Sequence, residues 1–236
     1  MKRCGLTDTA TQCVTCDKNA SFSVDLIPDM MSIYPEYLTD KNVLICPSDA
    51  ERGKVDSGGE WNNPFKDPNG EFCPIRVWDM SYLYYGWALK PEYYLNNIAD
   101  LNSTADIFTL LRGDFLNALQ GSGGVVGRVE EAWETGDYGV FEEDITIGND
   151  TAYRLREGIE RFFITDINNP AGTAQAQSEI AIMHDDVNAD IGRGGGSFNH
   201  VPGGGNVLYL DGHVAFVRYP GDWPVCASWA NLMKYF

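Results

Sequence analysis

The stretch from Phe198 to Val217 limits the possible folds more than any other part of the chain. It runs Phe198-Asn199-His200-Val201-Pro202-Gly203-Gly204-Gly205-Asn206-Val207-Leu208-Tyr209-Leu210-Asp211-Gly212-His213-Val214 and continues apolar to Val217. Asp-Gly between two runs rich in β-branched and aromatic residues is a hairpin signal. A two-residue type I′ turn needs φ > 0 at both central positions, and Asp-Gly accommodates that. Residues 207–210 and 214–217 are therefore expected to pair, with His213 at the turn and His200 leading into the first strand.

Upstream, helical and strand patterns segregate rather than alternating as βαβ units. Residues 1–20 read as a polar, cysteine-bearing lead-in, and 21–236 as one globular domain. Residues 21–38 look helical up to Tyr34-Pro35, where proline breaks the pattern. A short strand is expected at 43–45, then a loop over 47–75 rich in Gly, Asn, Asp and Pro. Residues 77–89 read as a buried strand carrying Trp78, Tyr82, Tyr84, Tyr85 and Trp87. Ile107, Leu110, Leu111, Phe115, Leu116 and Leu119 recur at helical spacing, so a helix is predicted over 104–120 with Gly121 ending it. Short strands are expected at 125–129 and 145–147, a second helix at 151–163, a turn at 168–172 and a strand at 179–183. The pattern is that of an α+β domain with a mostly antiparallel sheet, a C-terminal hairpin and long loop insertions.

The net charge is −17, from 34 acidic and 17 basic residues. Such a chain repels phosphate backbones, which excludes nucleic acid as a natural partner. It also disfavours anionic membrane surfaces and attracts divalent cations. The six cysteines are Cys4, Cys13, Cys16, Cys46, Cys73 and Cys226. Cys46 and Cys73 are the expected disulfide. Both precede proline and they bracket the 47–75 loop, which a cross-link would stabilise by about 3 kcal/mol. Cys13-Val14-Thr15-Cys16 reads as structural cysteines, half of a zinc site or a redox pair. Cys226 is a candidate tether for the C-terminal tail.

His184, His200 and His213 fall within one short segment, interleaved with Asp185, Asp186, Asp190 and Asp211. If they converge, they form a transition-metal or acid–base centre and the chain is a metal-dependent hydrolase. The competing reading gives each histidine a local structural role, and no HxH or HExxH spacing favours the metal. The glycine runs at 192–196 and 203–205 do not make a phosphate cradle, because a strand rather than a helix follows the second. They read as adaptable loops with φ > 0 positions. The aromatic residues of 78–94 are either core or an extracellular binding platform for a glycan or protein. Exposure of Trp78, Trp87 and the tyrosines separates the two.

His200, a glycine-rich spacer, an apolar strand and Asp211-Gly212-His213 together resemble the C-terminal signature of bacterial prepilin-type, pseudopilin-like proteins. That signature usually has nine residues between His and Asp-Gly, whereas this chain has ten. Tyr34-Pro35-Glu36-Tyr37-Leu38-Thr39-Asp40, Val43-Leu44-Ile45-Cys46-Pro47-Ser48-Asp49 and Arg156-Glu157-Gly158-Ile159-Glu160-Arg161-Phe162-Phe163-Ile164-Thr165-Asp166 are similar to the same group. The resemblance spans most of residues 34–220. It implies a pseudopilin-like globular domain, non-catalytic, working outside the cytoplasm as a subunit of a type II secretion or type IV pilus-like filament. Its partners would be other pilin-like subunits, and it would meet the membrane only through an N-terminal apolar helix. Residues 1–20 hold no run approaching the roughly 18 apolar residues that span a bilayer. Either such a helix precedes Met1 or the gene encodes none. Major pseudopilins also carry calcium in a C-terminal loop. Asp185, Asp186, Asn188 and Asp190 are the oxygen ligands this implies, with a solvated acidic loop as the alternative.

Overall fold

The computed structural model describes residues 26–49, 74, 77, 81–159, 177–188, 197–200 and 203–235. The lead-in with Cys4, Cys13 and Cys16, most of the 47–75 loop, the 168–172 turn and the 192–196 glycine run lie outside the described residues. The fold is α+β, and every strand pair among the described residues is antiparallel. The strands are β1 (Tyr82–Leu83), β2 (Ile145–Ile147), β3 (Asp150–Ala152), β4 (Ala181–Asp185), β5 (Val187–Asn188), β6 (Ser197–Phe198), β7 (Gly204–Tyr209) and β8 (Val214–Arg218). A four-stranded sheet has the order β1-β4-β7-β8, and β2-β3 and β5-β6 form separate pairs.

The C-terminal hairpin forms as expected, with Leu208 opposite Val214 and Gly204 opposite Arg218. Its turn differs from the predicted two-residue type I′. Leu210, Asp211 and Gly212 form a three-residue connection. The Tyr209 N–H donates to the His213 carbonyl and the Gly212 N–H to the Tyr209 carbonyl. Only Gly212 takes positive φ, +88°, so Asp211 is spared the left-handed conformation that type I′ demands. At the other end of β7, Gly204 has φ +147°. A Cβ there would lie 2.6 Å from the Val217 carbonyl oxygen, so the glycine is required for β7 to approach β8.

The described helices are α1 (Met30–Ile33), α2 (Pro91–Tyr94), α3 (Ile107–Leu110), α4 (Gly113–Gln120), α5 (Val125–Thr135) and α6 (Ala227–Met233), with short 3-10 turns between them. The 104–120 helix is broken into α3 and α4. Between them Leu111 bridges Leu95, and the Arg112 N–H donates to the Tyr94 carbonyl. Long-range backbone pairing thus overrides a continuous apolar stripe. Residues 125–129 are helical, not extended, because Val129 and Ala132 bury one face of α5 at i,i+3 spacing. Residues 41–44 are a 3-10 turn rather than the start of a strand, with the Asp40 carboxylate accepting from the Asn42 N–H. Among the described residues of 77–89, only Tyr82–Leu83 is strand, and Trp87 makes an isolated bridge to Arg154. The 151–163 helix is replaced by β3 and turns up to residue 159. The strand expected at 179–183 begins instead at Ala181, preceded by a helical turn at 177–179.

The main core lies between the sheet and α6, a helix that the sequence pattern does not announce. Trp229 of α6 packs edge-on to Tyr85 (5.3 Å between ring centres) and against Tyr94 and Trp223. Phe115, Ile107, Val207 and Leu232 fill the same cluster.

Candidate functional site

Three segments remote in sequence meet at one end of the four-stranded sheet. Cys46 follows the 41–44 turn, Asp185 ends β4, and His200 sits between β6 and β7. Cys46 Sγ lies 3.6 Å from His200 Nε2, and Asp185 Oδ2 lies 2.9 Å from the same nitrogen. One ligand atom from each of the three residues can be chosen so that all lie within 4.8 Å of one another. Cys46 and Asp185 are almost wholly buried and His200 partly so.

The strand register sets this geometry. Tyr82 on β1 pairs with Asp185 on β4, which brings the Tyr82 ring beside Cys46. On the other side, the Asn206 backbone N–H and side-chain amide of β7 both donate to Asp185 Oδ2, at 2.7 and 3.0 Å. Gly205 makes this approach possible, since a Cβ there would sit 3.2 Å from the Asp185 Cβ. Asp185 Oδ2 is thus surrounded by donors, while Oδ1 is buried with no hydrogen-bond partner among the described residues. A buried carboxylate oxygen left in that state is costly.

Burial pushes the Cys46 thiol pKa above its ordinary value, and the Asp185 and Asp49 carboxylates push it further. Tyr82 is raised to about 12, first by burial and then by Cys46 and the same two carboxylates. Asp49 accepts a 2.7 Å hydrogen bond from Ser81 Oγ. An apolar cleft of about 310 Å³ adjoins the cluster, lined by Ile27, Met30, Leu44, Val77, Tyr82 and Met183 among others.

The arrangement is not that of a nucleophile relay. In a Cys-His-Asp relay the thiol and the carboxylate engage opposite ring nitrogens. Here sulfur, carboxylate and the Asn206 amide all face His200 Nε2. A single nitrogen has one lone pair or one proton and cannot serve all three neighbours.

The three histidines do not converge. His184 is fully buried, donating from Nδ1 to the Asp185 carbonyl at 2.7 Å and accepting at Nε2 from the Tyr85 hydroxyl at 2.7 Å. Burial lowers its pKa to about 4, so it is a neutral core imidazole. Trp229 Nε1 completes the chain by donating to the Tyr85 oxygen. His213 stacks on Tyr209 at the exposed turn, and its ring nitrogen lies 2.6 Å from Asp211. The Asp211 carboxyl is held below the usual carboxylate range by the His213 backbone N–H and then its ring. A hydrolase built on His184, His200 and His213 together is therefore ruled out by their positions.

Of the residues read as calcium ligands, Asp185 belongs to the cluster just described, the Asp186 backbone N–H donates to the Ser81 carbonyl, the Asn188 side-chain amide donates to the Met233 carbonyl, and Asp190 lies outside the described residues. Cys46 is a free thiol rather than half of a disulfide, and its expected partner Cys73 lies outside the described residues. Cys226 is likewise free and tethers nothing covalently. It is buried at the start of α6, near the Tyr94 hydroxyl and Ser228. Trp87, Tyr85, Tyr93 and Tyr94 are core residues, which removes them from any binding platform, and Trp78 lies outside the described residues.

Sequence reasoning found His200 and Asp185 separately but missed Cys46 as their neighbour. Cys46 and His200 belong to two of the four segments on which the resemblance was read. No helix among the described residues is long and apolar enough to cross a membrane. Neither a family model, nor a curated protein, nor a solved structure matches the chain.

Proposed function

We propose that the chain is the globular head of a pilin-like filament subunit, with a structural rather than a catalytic role. The observation that favours this reading is the form of the signature hairpin. His200 leads into β7, Asp211-Gly212 turn the chain, and β8 closes the edge of the sheet. Val214 and Phe216 on that edge strand are 61% and 55% exposed. An edge strand that is unpaired on its outer side among the described residues, and that carries apolar side chains, invites contact with a neighbour. In a filament that neighbour is another pilin-like subunit, on the extracytoplasmic side of the membrane.

The reading is tested on the full gene product in cells. Material sheared from the cell surface should contain the chain in sedimentable assemblies. The double variant Val214→Lys, Phe216→Lys should lower that pool at least tenfold while the protein stays folded. A wild-type chain found only as a monomer contradicts the proposal.

A further inference from the structure

We propose that Cys46 Sγ, a carboxylate oxygen of Asp185 and His200 Nε2 together hold a divalent transition-metal ion of the zinc class. The ion would fasten the 41–49 segment to the sheet between β4 and β7. This site goes beyond the filament reading and does not depend on it.

Three observations carry the inference. First, the donors converge on a point rather than forming a chain of hydrogen bonds. Zinc bound tetrahedrally to thiolate and imidazole, with bonds of about 2.3 and 2.0 Å, sets the two donor atoms about 3.5 Å apart, and Cys46 Sγ and His200 Nε2 are 3.6 Å apart. Second, Asp185 is 1% exposed and its Oδ1 has no hydrogen-bond partner among the described residues. A cation would satisfy an oxygen that nothing else there does. Third, Oδ2 is fixed by two donors from Asn206, the kind of outer-shell bond that orients a ligating carboxylate.

The donor set also selects the metal. Thiolate, imidazole and a single carboxylate suit a borderline-soft ion, whereas calcium takes six to eight oxygens. Binding displaces the thiol proton to solvent, and the thiolate and carboxylate charges then balance those of the ion. Three protein ligands leave one position of the tetrahedron for water or an incoming group.

Cobalt(II) is the probe, because a thiolate ligand to it gives a near-ultraviolet charge-transfer band. Cys4, Cys13, Cys16 and Cys73 are changed to Ser in a background variant, which leaves Cys46 and the buried Cys226 as its thiols. That variant should develop the band and saturate at about one equivalent. Zinc should displace the cobalt, and a large excess of calcium should not. Cys46→Ser should abolish the band, and His200→Gln should weaken binding by about 100-fold or more. Zinc should also raise the Tm of the wild-type chain by about 5 °C when well above its Kd. Should the background variant fail to fold, wild-type chain and Cys46→Ser alone are compared, where the thiol change should remove one bound equivalent. No thiolate band in the wild-type chain, a band undiminished by Cys46→Ser, or displacement by equimolar calcium overturns the proposal.

Discussion

Cys46 and His200, 154 residues apart in sequence, meet at 3.6 Å between sulfur and Nε2. Each belongs to a different segment of the family resemblance, Cys46 to Cys46-Pro47-Ser48-Asp49 and His200 to the histidine–glycine–Asp-Gly run. The fold thus joins two segments remote along the chain, and Asp185 sits where they join.

Asp185 accepts two hydrogen bonds from Asn206 and faces His200, all in a buried setting. Asp185→Ala leaves the Asn206 N–H without its acceptor and should cost roughly 2–4 kcal/mol in urea unfolding. Asp185→Asn should cost less, because its carbonyl oxygen still accepts from that N–H. Equal losses for the two variants contradict this assignment.

Tyr85 links α6 to β4 through the Trp229–Tyr85–His184 hydrogen-bond chain. Tyr85→Phe keeps the ring packing but strands a buried indole N–H and an imidazole nitrogen. The expected loss is about 2 kcal/mol, read by chemical denaturation followed through tryptophan fluorescence. A loss below about 0.5 kcal/mol means water replaces the hydroxyl.

Gly204 is the glycine that the hairpin cannot exchange. Its φ of +147° and the 2.6 Å approach of the Val217 oxygen leave no room for a Cβ. Gly204→Ala should destabilise by about 3 kcal/mol. Gly123→Ala, also at positive φ (+76°) but with nothing within 4 Å, should cost only about 1 kcal/mol. Thermal melts of the two variants distinguish steric overlap from backbone strain alone.

Arg112 ties α2, α4 and β3 together by pairing with Asp114 and Asp150 and donating to the Glu92 carbonyl. Its hydrogen bond holds the Asp114 carboxyl below its ordinary pKa of 3.8. A carboxylate lowered in the folded state stabilises above its unfolded pKa, and that contribution disappears as pH falls through the folded value. The carboxylates are about one-third or more exposed, so solvent screening keeps the ion-pair contribution near 1 kcal/mol. Arg112→Met should lower Tm by a few degrees at pH 6 and by less at pH 2, as acid begins to remove the charge on Asp114 that Arg112 stabilises. An unchanged difference at both pH values contradicts an electrostatic origin.

What the sequence revealed was local chemistry, and what it hid was long-range pairing. The Asp211-Gly212 hairpin was legible because turn residues and flanking apolar runs act within ten or so positions. Its exact turn was not, since Asp211 avoids positive φ by adding one loop residue. The 104–120 stripe was read as one helix because the Leu95–Leu111 bridge cannot be seen locally. Helix α6 is not legible because the seven residues Ala-Ser-Trp-Ala-Asn-Leu-Met make too short a pattern, and its Trp229 is held by packing on Tyr85 and Tyr94. At the candidate site, His200 and Asp185 stood out by residue type. Cys46 was assigned to a disulfide because two Cys-Pro pairs around a loop suggested one, while its contact with His200 exists only once β1, β4 and β7 are in register.

The central claim is that this domain is the head of a filament subunit, and the coding sequence upstream of the Met1 codon tests it most directly. The account predicts a short basic leader followed by about twenty apolar residues, enough for one helix across a bilayer. A cleavable signal peptide in that place, or a genuine translation start at Met1, contradicts it.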